Sequence, residues 1–316
     1  MPRWPLIVLL LFTAGCGTLT VSDQPINPNI KTGNYAGVAI GAYVNGSENL
    51  SSFQTTLGKH LAVVLWYVHW QEAFPIAEVE AVDANGSLPL ITWEPWVSDP
   101  AGTLEAIAAG KYDAYVRSFF QAARAWGKPI LLRFAHEMNG NWYPWDGSHN
   151  GGSTGAASYI KAWIHIYNVR KTVGADNVYL VWSPNHKNLP AESWNQMVNY
   201  YPGDQYVDWI GMDGYNWGYT QWESFDSVFG AAYTALTALT AKPLMIGELA
   251  AAEQGGDKAA WISDAFAKII SSYPRIKTFC WFNLNKERDW RIDSSAAAAA
   301  AARNILQKAA FLDRIR

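Results

Sequence analysis

The chain is poor in several features that mark common protein classes. Of its 316 residues only two are cysteine, Cys16 and Cys280. Cys16 falls in a leader-like segment, so its removal or acylation leaves Cys280 alone and excludes an internal disulfide. Cys280 sits in an apolar run and reads as an inert core thiol. Charged residues are 16% of the chain, the net charge is −3, and there is no long basic run. That argues against nucleic acid as a partner. No G-x-G-x-x-G follows the first strand-like run and no G-x-x-x-x-G-K-[ST] occurs, so nucleotide binding has no support. The N-terminal apolar run, Leu6 to Phe12, is too short to span a bilayer.

What the chain has in abundance is aromatic rings: 17 Trp, 16 Tyr and 12 Phe. Most must pack in a core. Yet many tryptophans fall in polar, Gly- and Asn-rich loop segments, where an indole offers a flat apolar surface to a sugar ring. The N-terminus, with Arg3, the apolar run and then small residues, has the form of an export signal. "TAGC" resembles a bacterial lipobox, with Thr13 where leucine is usual. Lipidation at Cys16 and plain secretion both fit. The expected organisation is a signal peptide over 1–16, a linker over 17–31 and one domain over 32–316. The expected location is outside the cell or on its envelope.

Eight apolar runs alternate with amphipathic segments: "YAGVAIGAYV", "LAVVLWYV", "LPLITW", "ILLRFAH", "VYLVWSP", "YVDWIGMDGYN", "KPLMIGE" and "IKTFCWFNL". They are short and apolar on both faces, as buried parallel strands are. Between them, Tyr112, Tyr115, Val116, Phe119, Phe120 and Ala123 keep helical spacing. So do Ile160, Trp163, Ile164 and Tyr167, and a third set running from Trp261 to Ile270. The run Ala296 to Ala302 reads as a last helix capped by Ser294 or Ser295. Eight strands alternating with helices predict an α/β fold, a (β/α)₈ TIM barrel, with an open doubly wound sheet as the alternative.

In such a barrel, function collects at the C-terminal strand ends. Those ends carry His69, Trp93 and Glu94, His136 and Glu137, Asn185, Asp213 and Tyr215, Glu248, Trp281 and Asn283. The pair His136-Glu137 could open a zinc helix of the form His-Glu-x-x-His, but position 140 is Gly140 and the preceding "ILLRFA" reads as a strand. Two carboxylates at the ends of strands four and seven, Glu137 and Glu248, instead suit glycosidic bond hydrolysis, which needs a proton donor and a second carboxylate. Rings around Glu137 would keep it protonated, while Tyr215 or Arg133 would keep Glu248 ionised.

"RFAHEMNGNWYPW", "WSPN", "YYPGDQYVDWIGMDGYN" and "IGELA", in that order, resemble glycoside hydrolase family 26 from about Tyr35 to Trp290. The resemblance implies a (β/α)₈ barrel of retaining endo-glycanases: β-1,4-mannanases, mixed-linkage β-1,3-1,4-glucanases and β-1,3-xylanases. It implies Glu137 as acid/base, preceded by His136, and Glu248 as nucleophile. Tyr215 would hydrogen-bond the nucleophile, Asp213 and Arg133 would support the pair, and Trp142 and Trp281 would floor the sugar subsites. His69 and Trp93 are read as further sugar contacts, although His69 suits a satisfied rim histidine equally well. Glu94 suits either a subsite or a structural partner of an arginine. Trp96, Trp145 and Trp217 are loop residues that either line the cleft or pack. No metal or organic cofactor is implied.

The family's mannanases tend to carry an arginine directly after the last-strand tryptophan. Here Phe282 stands there, which favours a mixed-linkage β-glucanase over a mannanase. The expected partner is a polysaccharide, the membrane being reached only through a lipid anchor, and the expected state is a monomer. A barrel that binds carbohydrate without cutting it is a rival of another class. The presence of both carboxylates argues against it.

Overall fold

The eight apolar runs become β1 (Val38–Tyr43), β2 (Val63–His69), β3 (Leu88–Glu94), β4 (Ile130–Phe134), β5 (Val178–Trp182), β6 (Trp209–Asn216), β7 (Leu244–Ala251) and β8 (Ile276–Phe282). This is seen in a computed structural model that describes residues 28–97, 103–219 and 221–315. The leader, with Cys16, lies outside the described residues. Every neighbouring pair is parallel. β1 pairs with both β2, Gly41 beside Val63, and β8, Ile40 beside Phe279, which closes the barrel. The chain is a (β/α)₈ TIM barrel.

Helices α1 (Pro28–Thr32), α2 (Leu50–Leu57), α3 (Ile76–Ala84), α4 (Thr103–Ala108), α5 (Asp113–Trp126), α6 (Gly155–Val173), α7 (Phe225–Leu239), α8 (Lys258–Ser271) and α9 (Ala296–Leu306) surround it. Residues 28–31, expected to end a linker, are therefore helical. Ile30 there is buried, and its carbonyl accepts from Trp209 Nε1 at 2.9 Å. Helix α5 buries Val116, Phe119, Phe120 and Ala123, as its spacing predicts. Helix α6 is rotated from the expected stripe: Tyr159, Ala162, Trp163 and Ile166 are buried, while Ile160 and Ile164 are half-buried. Ser295 caps α9, its side chain accepting from Ala298 N at 3.2 Å.

Two apolar layers follow from strand alternation. Leu65, Leu90, Leu131, Val181, Met245 and Cys280 fill the barrel. Their strand neighbours Val64, Ile91, Leu132, Leu180, Phe279 and Trp281 pack outward against the helices. A short strand β9 (Phe311–Leu312) runs beside the start of β1, with Phe311 opposite Val38.

Candidate active site

At the C-terminal mouth of the barrel lies a cleft of about 990 Å³. Both candidate carboxylates line it, Glu137 at 7% and Glu248 at 6% exposure. Strand β4 stops at Phe134, two residues earlier than the run "ILLRFAH" suggests. Beyond it Ala135 and Glu137 both adopt positive φ, 47° and 54°, a conformation that costs non-glycine residues stability. Bonds to both flanking strands hold the kink. Ala135 N donates to Trp93 O at 3.1 Å, and Glu137 N donates to Ser183 O at 2.8 Å.

The Glu137 carboxylate is fixed at both oxygens. Asn185 Nδ2 donates to Oε1 at 2.8 Å and Trp142 Nε1 to Oε2 at 2.9 Å. Asn185 is itself set by Asn139, whose Oδ1 accepts from Asn185 N at 2.8 Å. Position 140, where a zinc helix needs histidine, is glycine because the Trp142 ring crosses it. A Cβ there would stand 2.6 Å from the indole.

Glu248 is held from below. Arg133, fully buried, donates to its Oε1 at 2.5 Å and to Asp213 Oδ1 at 2.7 Å. The rest of the guanidinium rests on Thr92 Oγ1, at 2.7 and 2.9 Å. Ser183 Oγ donates to the second oxygen of Asp213 at 3.1 Å. Gly247 makes room for this cluster: a Cβ there would lie 2.5 Å from Asp213 and 2.7 Å from Arg133. From the cleft side, the Tyr215 hydroxyl donates to Glu248 Oε2, and the nearby Tyr67 hydroxyl favours its charged form.

These surroundings drive the two carboxyls apart. Burial, then the charge of Glu248, raise Glu137 to about 7. Burial pushes Glu248 upward as well, but the Arg133 guanidinium and the two tyrosines outweigh it and bring it to about 2. His136 stands 3.8 Å from Glu248. Burial, together with nearby Arg133, lowers it to about 3. It is therefore neutral near pH 7, and Arg133 supplies the compensating charge.

The other residues singled out from the sequence divide. His69, Trp142 and Tyr215 line the cleft, and Arg133 and Asp213 lie beneath it. Trp93 and Trp281 do not reach it. Trp93 is fully buried, stacked on Phe119 at 4.5 Å. Trp281 is 1% exposed between Trp261 and Phe266, its Nε1 donating to Trp290 O at 2.8 Å. Both occupy outward positions, and the inward ones are Glu94 and Phe282. Of the loop tryptophans, Trp96 and Trp217 line the cleft. Trp145 is buried beneath Tyr143, rings stacked at 4.3 Å, and donates to His136 O at 2.7 Å. Cys280 is a buried thiol in the barrel interior.

Sequence reasoning leaves Tyr67, Tyr43, Tyr143 and Trp290 unassigned, yet all four line the cleft. Tyr67 was within reach, because it lies two residues before His69 on the same strand face. Trp290 comes from the loop after β8. Lys258, itself buried, anchors that loop through Asp289 O, Arg291 O and Ser294 Oγ at 3.0, 2.6 and 2.8 Å.

The sequence model of glycosyl hydrolase family 26 matches residues 113–289, more than half of the chain. The chain belongs to that family. Endoglucanase H of Acetivibrio thermocellus is 41% identical over 285 residues, which is 87% of this chain but 31% of that protein. The chain thus spans about a third of that relative. A mannan endo-1,4-β-mannosidase of Bacillus subtilis is 30% identical over 54% of this chain and 43% of its own. A β-1,3-xylanase of a Vibrio species is 26% identical over 60% of this chain and 43% of its own. Among solved structures, the Bacillus subtilis mannanase BCman superposes with a TM-score of 0.68 at 21% identity, over 89% of this chain and 88% of that one. That likeness is one of fold.

Proposed function

We propose that this family 26 hydrolase is a retaining endo-β-glycanase, acting on mixed-linkage β-1,3-1,4-glucan, with Glu137 as acid/base and Glu248 as nucleophile. The observation that carries it is two buried carboxyls in one cleft with unlike partners, Glu137 between Asn185 and Trp142 and Glu248 on the Arg133 guanidinium and the Tyr215 hydroxyl. Burial raises the first to about 7, and the guanidinium holds the second low. An acid must hold its proton at working pH and a nucleophile must have lost it. Glu137 gives its proton to the glycosidic oxygen as a Glu248 oxygen bonds to the anomeric carbon and the leaving chain departs. Glu137, now ionised, takes a proton from water. That water attacks the anomeric carbon and frees Glu248, so two inversions give net retention. Trp142 and Asn185 hold Glu137 in line, and Arg133 and Tyr215 hold Glu248.

Two observations favour glucan. Endoglucanase H matches far more of the chain than the mannanases do. The residue after Trp281 is Phe282, which stacks on Tyr43 at 5.0 Å and 18° and gives the cleft an apolar floor. β-1,4-mannan is the second reading, because several relatives carry mannanase names. Reducing-sugar release from barley β-glucan and from a soluble mannan, side by side, tests both. Release from mannan alone would keep the two glutamates in their roles and overturn the glucan assignment. An exported location, lipid-anchored or free, suits a substrate too large to enter a cell.

A further inference from the structure

A third buried carboxyl faces the cleft, and the hydrolysis described above does not use it. Glu94 ends β3, is 5% exposed and lines the cleft. Its bonds are lopsided. His69 Nε2 lies 3.0 Å from Oε2, and Trp96 Nε1 donates to that same oxygen at 3.2 Å. No described residue donates to Oε1, which is left to the cleft. Oε1 is not among the sealed, unpaired polar atoms of the described residues, so it is open to a ligand in the cleft, and holding an indole and an imidazole at Oε2 leaves it free to bind one.

The surroundings suit a sugar ring. Trp96 is 38% exposed. Tyr143, Trp145 and His69 meet it at interplanar angles of 76°, 78° and 58°, so no described ring stacks on its face. The His69 side chain is 55% exposed. A flat indole beside an unmatched acceptor offers the two contacts a pyranose makes: C–H groups on a face and equatorial hydroxyls at an edge. We propose that Glu94, Trp96 and His69 form a separate sugar subsite. There a glucosyl unit away from the scissile bond stacks on Trp96 and donates a hydroxyl to Glu94 Oε1, while His69 orients the carboxylate. The proposal rests on the β-glucan reading of the cleft. Burial raises Glu94 to about 7, so on the acid side of neutrality the carboxyl is largely protonated and Oε1 meets the sugar hydroxyl as a neutral partner.

The test uses Glu94→Gln and Trp96→Ala, each checked by its melting curve. Trp96 is at the surface, so its variant stands if Glu94→Gln does not fold. On barley β-glucan, KM is expected to rise about 5-fold for Glu94→Gln, the scale of losing one hydrogen bond. Trp96→Ala is expected to raise it several-fold, with kcat falling less than about threefold in both. KM within twofold of wild type in both variants overturns the subsite. So does a kcat loss as large as that of Glu137→Ala at unchanged KM, which would make Glu94 part of the chemistry. If the wild-type protein cuts neither glucan nor mannan, the functional reading fails first. Affinity electrophoresis in gels containing barley β-glucan then decides the subsite: weaker retardation of the variants supports it, and equal retardation overturns it.

Discussion

Arg133 and Glu248 meet nitrogen to oxygen at 2.5 Å, both side chains buried at the bottom of the cleft. The contact sets the charge of the proposed nucleophile. Arg133→Met should leave Glu248 and Asp213 buried without their cation, at a cost of about 3–5 kcal/mol. It should also raise the pKa of Glu248. Denaturant melts and a kcat/KM profile against pH check both: the midpoint falls, and the acidic limb of activity moves to higher pH. An unmoved acidic limb in a folded variant would show that Tyr215 and Tyr67 hold Glu248 ionised without help.

The two carboxyls predict a pH window. Glu137 works when protonated, so activity should fall as pH rises through about 7. Glu248 works when ionised, so it sets no limit until pH approaches about 2. Glu137→Ala should lose roughly 10²–10⁴ in rate on polysaccharide. A dinitrophenyl glycoside, whose leaving group needs no proton, should lose far less, and its alkaline limb should disappear. Equal losses on both substrates would remove Glu137 from the acid role.

Trp93 and Trp142 should behave oppositely. Trp93 packs among Phe119, Phe120 and Tyr115 in the outer layer. Trp93→Leu should lower stability by about 2–4 kcal/mol with little change in KM. Trp142, 39% exposed and bonded to Glu137, should give the reverse: a small change in melting temperature and a large kinetic defect. Thermal melts beside Michaelis curves separate them.

Glu94 also makes a stability prediction. Its carboxyl moves from 4.5 to about 7 on folding, chiefly through burial. The folded state therefore holds the proton more tightly, and stability is lost as pH rises from about 4.5 through about 7. Glu94→Gln lacks this titration. Its melting temperature relative to wild type should climb over that interval, and a constant difference from pH 4 to 8 would refute the shift.

The barrel was legible because its strands are apolar on both faces, a pattern that few other arrangements need. The site was legible where polar residues stand at strand ends, as Glu137, Tyr215 and Glu248 do. Trp93 and Trp281 went astray through parity. A large ring near a strand end invites assignment to the mouth, yet each faces the helices, one residue from the inward Glu94 or Phe282. The inward position of Cys280 already implied that of Phe282. The left-handed turn at Ala135 and Glu137 had no signal at all, since neither is glycine and the bonds that hold it come from β3 and β5. Trp290 was invisible because a loop has no period to read.

The pairing of β9 with the start of β1 bears on how the protein can be tethered. Val38 and Phe311 sit side by side at the N-terminal end of the barrel, and α1 packs there through Ile30. Both ends of the fold thus leave from the face opposite the cleft. A lipid, a linker or a fused module attached at either end would hold the barrel by its base, with the mouth of the cleft turned outward.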